Sequence, residues 1–259
     1  MNFKHQSIKN YYDPDSPIFI SNIYYSKRKP SKIIKVISWN IKFGKHIDRA
    51  IKTLSQKPLS SFDILFLQEM SEEGVLLISK HFNLNFVYIP SNLHSKHGKN
   101  FGNAILSPHQ LTNPKKIILP HKNIFNLEMR CLALCVTKID NKQILLSSNH
   151  IELFSINLSH KYNQINHALY NLNHVKYPYV LAGGDFNTIT KKGINTFKTL
   201  VKLNHLNHYS STLNHTFSFL GIHRTLDHII GKGFIVHSTG VYKNVYKASD
   251  HYPVWVILS

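Results

Sequence analysis

Residues 180–188 read Val-Leu-Ala-Gly-Gly-Asp-Phe-Asn-Thr, an apolar run and two glycines that deliver an acid and an amide two residues apart. In a strand, residues i and i+2 point the same way, so Asp185 and Asn187 would leave the run as a carboxylate and a carboxamide aimed at one spot. That pairing suits a phosphate centre, although the same letters also read as an Asx turn closing a strand. Gly183 and Gly184 would allow close backbone approach there. Other apolar runs also carry polar residues at their ends: Asn40, Glu69, His150, Asp227, and the pair Asp250 and His251 at the start of the last run. Four carboxylates, two amides and two histidines suit hard-cation phosphoryl chemistry. Mg²⁺, with Mn²⁺ as a substitute, takes a few carboxylate oxygens plus water and substrate phosphate. Zinc fits less well, because no close-spaced set of His or Cys joins these residues, and no Ser or Cys sits on a glycine elbow. Metal-assisted attack by water is the economical scheme that remains.

In that scheme His251 is the general base and Asp227 orients it and steadies the imidazolium that forms. Glu69 binds the metal, with Asn40 beside it and Asp250 as a second ligand. Asp185 positions or deprotonates the water, or faces the leaving group. Asn40, Asn187 and His150 donate hydrogen bonds to non-bridging phosphate oxygens, where charge develops. Arg130, alone among Leu, Met and Cys, is a phosphate clamp.

These residues need a scaffold that brings strand ends together. Period and punctuation predict strands at 33–40, 62–69, 86–90, 101–107, 127–139, 142–150, 180–185, 225–230, 234–245 and 251–258. Helices are predicted at 48–56, 71–80, 158–175 and 196–203. Asp140-Asn141 is a hairpin turn, and residues 204–219 read as loop with one short strand. A strand-helix opening followed by hairpins gives two packed mixed sheets flanked by helices, in the α/β (α+β) class. Residues 1–31 form an irregular basic and aromatic arm, packed by Tyr11, Tyr12, Phe19, Tyr24 and Tyr25 and carrying Lys27-Arg28-Lys29. Residues 32–259 form one domain.

The 31 Lys and Arg against 13 Asp and Glu leave a net charge of +18, which favours polyanionic partners, nucleic acid first and anionic membrane second. Cys131 and Cys135 on one strand lie about 13 Å apart, too far for a disulfide, and read as buried thiols. The N-terminus lacks a signal-peptide core, and no run approaches membrane-spanning length, so the chain reads as soluble, cytoplasmic or exported without a classical signal. No protein partner is indicated, and the chain reads as a monomer.

Trp39-Asn40, Leu67-Gln-Glu69, Gly102-Asn-Ala-Ile-Leu-Ser107, Asn149-His-Ile-Glu152, Gly184-Asp-Phe-Asn187, Leu226-Asp-His-Ile229 and Ser249-Asp-His-Tyr-Pro253 follow one another in this order. In this the chain, from about residue 33 to 258, resembles the endonuclease/exonuclease/phosphatase superfamily. The resemblance implies a four-layered α/β sandwich and Mg²⁺-dependent phosphoester hydrolysis, with the roles above falling on the motif positions. Two departures stand out. Lys42 occupies a position where abasic-site endonucleases carry an acid, which resembles the deoxyribonuclease-I-like branch. That branch pairs its middle histidine with a glutamate, and 97–103 offers no acid, so His150 would lean on Glu152 or a backbone group. The reading is a nuclease. The alternative is a phosphatase or phosphodiesterase acting on a phosphoinositide, a phospholipid headgroup or another small phosphoester, against which the sequence shows no amphipathic anchor and no lipid-inserting hairpin. A third reading, a binding protein on an inactive scaffold, conflicts with the presence of every catalytic residue type.

Overall fold

A computed structural model describes residues 9–25, 32–94, 98–154 and 157–259. Its strands are β1 (Lys9–Asn10), β2 (Phe19–Ser21), β3 (Ile34–Asn40), β4 (Ile64–Met70), β5 (Asn85–Leu93), β6 (Asn100–Ser107), β7 (Leu111–Ile118), β8 (Cys131–Ile139), β9 (Lys142–His150), β10 (Tyr179–Asp185), β11 (Asn207–His208), β12 (Phe217–Phe219), β13 (Ile222–Arg224), β14 (Asp227–Lys232), β15 (Val236–Val241) and β16 (Val254–Leu258). The helices are α1 (Ile47–Leu54), α2 (Glu72–Phe82), α3 (Leu158–Asn173) and α4 (Lys191–Leu203), with a short 3-10 turn at Lys42–Gly44.

One sheet runs β1-β5-β6-β4-β3-β16-β15, with β2 also on β5, and the second runs β11-β14-β10-β9-β8-β7. Side-chain alternation divides each strand between two layers. Val36, Ile64 and Phe66 of the first sheet meet Ala133, Leu146, Leu181 and Ile229 of the second in the central core. Their neighbours Ile37, Trp39, Leu65 and Leu67 pack outward on Ala50 and Leu54 of α1 and Val75 and Ile78 of α2. Leu132, Leu134, Val180 and Ala182 pack on Ile165 and Leu169 of α3 and Phe197 of α4. The result is the four-layered α/β sandwich, helix-sheet-sheet-helix, expected from the sequence. The two thiols, Cys131 and Cys135, are free and buried.

Several boundaries differ from the sequence reading. The run expected from 127 begins as a strand only at Cys131, because Leu127 is left-handed, with φ of 57°. The last two runs start late as strands, at Val236 and Val254. Helix α4 opens five residues early, where Thr190 accepts from Gly193 N. Strand β7, an edge strand rich in Thr, Asn, Pro and Lys, carries too little apolar alternation to announce itself. Residues 9–25 are less irregular than expected, since β1 and β2 extend the first sheet. Phe19 packs on the core, whereas Tyr12 and Tyr25 are exposed. Residues 204–219 contain β11 and β12, and β12 pairs with β13 in a hairpin whose Phe219, Leu220 and Ile222 face solvent, a feature the sequence reading missed. The cluster Lys27-Arg28-Lys29 lies outside the described residues. No described helix is long and apolar enough to cross a membrane.

Candidate active site

The motif residues meet where the two sheets end together. In the second sheet Asp185 stands between two register partners, His150 on parallel β9 and Asp227 on antiparallel β14. In the first, Asn40 ends β3 opposite Gln68. A shift of register between Leu67 and Met70, with Glu69 at φ of 58°, marks an irregularity in β4 at Glu69. Asn40 joins the sheets: its Nδ2 donates to Glu69 Oε1 and to Asp185 Oδ2, each at 3.1 Å. Close approach explains both glycines. A Cβ on Gly183 would stand 2.5 Å from Phe66 and one on Gly184 would stand 2.1 Å from the Asn149 carbonyl oxygen.

Asn187 does not continue the strand. Its φ is 52° and its N–H donates to Asp185 Oδ1 at 2.9 Å, so the Asx turn forms and presents the amide sideways. The Asn187 Nδ2 donates to Ile151 O at 2.8 Å.

His251 precedes β16 and is fixed from behind. Buried Trp39 donates from Nε1 to the His251 carbonyl at 2.9 Å, and Ser249 Oγ accepts from His251 N at 3.1 Å. The His251 Nδ1 lies 2.9 Å from Asp227 Oδ2, which also accepts from Thr216 Oγ1 at 2.7 Å. A carboxylate accepts only, so Nδ1 carries the proton and Nε2 is left facing Asp185 Oδ2 at 3.7 Å. Burial disfavours charge on His251, but Asp227 and Asp185 outweigh it and hold the imidazole up at about 10. Burial also lifts Asp185, to about 7, against the opposing pull of His251. Across the site, His150 Nε2 stands 3.8 Å from Asp185 Oδ2 and 3.9 Å from Glu69 Oε1. Burial, then the charges of Arg130 and His251, push His150 well below the usual imidazole range, so it is neutral.

Three expected residues stand differently. Asp250 is engaged by a lysine: its Oδ2 receives Lys42 Nζ at 2.7 Å. Both amide hydrogens of Asn40 are engaged by Glu69 and Asp185, which leaves none for a phosphate. Arg130 is buried with Nε 3.0 Å from Glu152 Oε2 and Nη1 3.8 Å from Glu128 Oε2, and its guanidinium lies 5.2 Å from the Phe101 ring centre. Glu152, considered as a support for His150, serves Arg130 and accepts from Asn123 Nδ2 at 2.8 Å. Glu128, Thr216 and buried Lys161, whose Nζ donates to Asn187 O at 3.4 Å, escaped the sequence reading. Only Glu128, two residues before the arginine, carried a signal.

The site opens into a cleft of about 490 Å³, lined among others by Phe217, Ile222 and Arg224 and by Phe101, Glu128, Arg130 and Phe154. Four of the chain's 13 acidic residues, Glu69, Glu128, Glu152 and Asp185, line it. Such an oxygen-rich donor set fits a hard divalent cation. Glu69 and Asp185 both face the neutral His150. Asp185, Asp227 and His251 also offer ligand atoms within 4.8 Å of one another.

The model of the Endonuclease/Exonuclease/phosphatase family matches residues 37–251. No curated protein sequence matches. Among solved structures, D. rerio TDP2 complexed with single strand DNA product is similar at TM-score 0.71 and 14% identity, over 88% of this chain and 100% of that one. The mannosyl-6-phosphatase of Bacteroides thetaiotaomicron VPI-5482 is similar at TM-score 0.65 and 18% identity, over 87% and 99%. A family protein from Leptotrichia buccalis C-1013-b gives 0.67 and 17%, over 87% and 99%. These TM-scores show a shared fold, and by the family match over most of its length the chain belongs to the endonuclease/exonuclease/phosphatase family, whose members hydrolyse phosphoesters and generally depend on a divalent metal.

Proposed function

We propose that the chain is an Mg²⁺-dependent phosphodiesterase that cleaves nucleic acid, with His251 as general base toward water. The observation that carries this reading is the array Asp227-His251-Asp185, in which one ring nitrogen is tied at 2.9 Å and the other faces the cleft. His251 and Asp185 are close enough to share protons and titrate as a pair. In the state of this pair that leaves Nε2 unprotonated, Nε2 takes a proton from a water held at Asp185, and Asp227 stabilises the imidazolium that results. Neutral His150 offers its Nε2 to the phosphate oxygens, and Asn187 its remaining amide hydrogen. Glu69, with Asn40 steadying it, would hold the cation, which when bound would polarise the phosphate and neutralise charge developing on its oxygens. The role first given to Asp250 passes to holding Lys42.

Nucleic acid as substrate is supported by the charge of +18 and by the DNA product bound to the D. rerio protein of like fold. The test is nicking of supercoiled plasmid with Mg²⁺, comparing wild type, His251→Ala, Asp185→Ala and an EDTA control. Full activity in either variant would sink the mechanism.

One observation favours a second reading, a phospholipid headgroup or other small phosphoester. The β12–β13 hairpin beside His251 carries Leu220, which is 85% exposed, with Phe219 and Ile222 half-exposed. A mannosyl-6-phosphatase shares the fold. An intact plasmid together with Mg²⁺-dependent hydrolysis of phospholipid in anionic vesicles would decide for it.

A further inference from the structure

Residues 9–25 precede the matched segment 37–251, yet they hold the stretch of chain that carries two of the cleft's charged residues. The backbone of Asn10 pairs with Asn92 on β5. Its side chain crosses to the segment before β8, where Oδ1 accepts from Met129 N and Nδ2 donates to Leu127 O, both at 3.0 Å. The carboxamide thus acts as the peptide group of a neighbouring strand. Leu127 is held in a left-handed conformation that leucine rarely adopts. Asn92 Nδ2 donates to Met129 O at 3.2 Å. The arm itself is fastened by buried Lys116, which donates to Tyr11 O and Ser16 O. Met129 lies between Glu128 and Arg130, two charged residues that line the cleft.

We propose that Asn10 is a positioning residue: the arm sets Glu128 and Arg130 in the cleft and so governs substrate affinity rather than the chemical step. The proposal rests on the cleft as substrate site. In the full chain, Asn10→Ala should raise KM about three- to tenfold, leave kcat within about twofold, and add little in an Arg130→Ala background, the coupling expected of residues acting through one group. Asn10→Asp, which keeps the acceptor for Met129 N but turns a second carboxylate oxygen on the Leu127 carbonyl, should not recover the loss. Affinity for a single-strand oligonucleotide, read by fluorescence anisotropy without turnover, should weaken by the same factor. Faster hydrogen exchange at the Met129 amide, with β9 and β10 unchanged, should accompany it. Effects of Asn10→Ala and Arg130→Ala that multiply, a fall in kcat at constant KM, or unchanged affinity would overturn the proposal. If wild type fails to nick plasmid while affinity still falls in Asn10→Ala, the nuclease reading alone is lost.

Discussion

Replacing Asp227 with Asn tests the site at its most constrained point. The Asp227 carboxylate takes two donors at Oδ2, His251 Nδ1–H at 2.9 Å and Thr216 O–H at 2.7 Å. Thr216 cannot turn its proton away, since its oxygen accepts from Leu226 N and Asp227 N at 2.9 and 3.0 Å. The new amide must therefore place its oxygen toward Thr216 and its NH₂ toward the imidazole, 3.1 Å from Nδ1 where Oδ1 now stands. His251 then accepts at Nδ1, carries its proton on Nε2 and has no lone pair for water. The lost charge interaction is about 6 kcal/mol at 2.9 Å and an effective dielectric of about 20, before the desolvation that offsets part of it. The expected outcome is a fall in kcat of about 10²- to 10⁴-fold with KM nearly unchanged and the pH–rate inflection moved to lower pH. Single-turnover cleavage across pH 5 to 10 measures the rate, and ¹⁵N shifts of the His251 ring identify the tautomer. A kcat within about threefold of wild type and an unmoved inflection would refute the assignment.

Glu69→Gln should abolish the rise in Tm that Mg²⁺ gives wild type, a rise equivalent to about 2.7 kcal/mol at a cation concentration of about 100 Kd; equal stabilisation of both proteins would remove Glu69 from the metal site. Gly184→Ala places a methyl 2.1 Å from the Asn149 carbonyl oxygen on a paired strand, and should cost about 3 kcal/mol or more by urea denaturation. Beneath the site His208 Nε2 and His228 Nδ1 lie 3.1 Å apart and His228 Nε2 faces Thr188 Oγ1 at 2.8 Å. Burial lowers His208 to about 4 and His228 well below its usual range. The unfolded chain therefore binds protons that the folded chain refuses, and stability should fall as pH drops from about 6.5 to about 4, by about 3 kcal/mol for His208 alone. Urea midpoints at pH 7 and pH 4.5 that coincide would contradict this.

What could be read from the sequence was what local pattern encodes. Each of Asn40, His150 and Asp185 closes an apolar run, so its place at a sheet end follows from that run alone. Asp227 opens β14 across from Asp185, and His251 stands just ahead of β16. What escaped depends on partners distant in sequence or on local breaks of period. Glu69 was named but not the register irregularity at which it sits, the Asx turn at Asn187 stood as one of two readings, and Asp250 is captured by Lys42, 208 positions away. Thr216 carries no signal that it would hold Asp227, and Asn10, in a polar segment, gives none that it would bind a loop 119 residues on. The hairpin from Phe217 to Arg224 was hidden because its apolar residues face water.

Four of 13 acidic side chains on one cleft, in a chain of charge +18, separate attraction from repulsion by distance. If the substrate is the proposed nucleic acid, the basic body draws it in over tens of ångströms, a reach that about 0.1 M salt cuts to about 10 Å. Over the last few ångströms the phosphate meets Glu69 and Asp185, whose field is set in buried surroundings and responds little to salt. Raising ionic strength thus slows encounter without easing the final approach. On the proposed reading the protein would behave as a coincidence device, in which polyanion and divalent cation have to arrive together for either to be held productively.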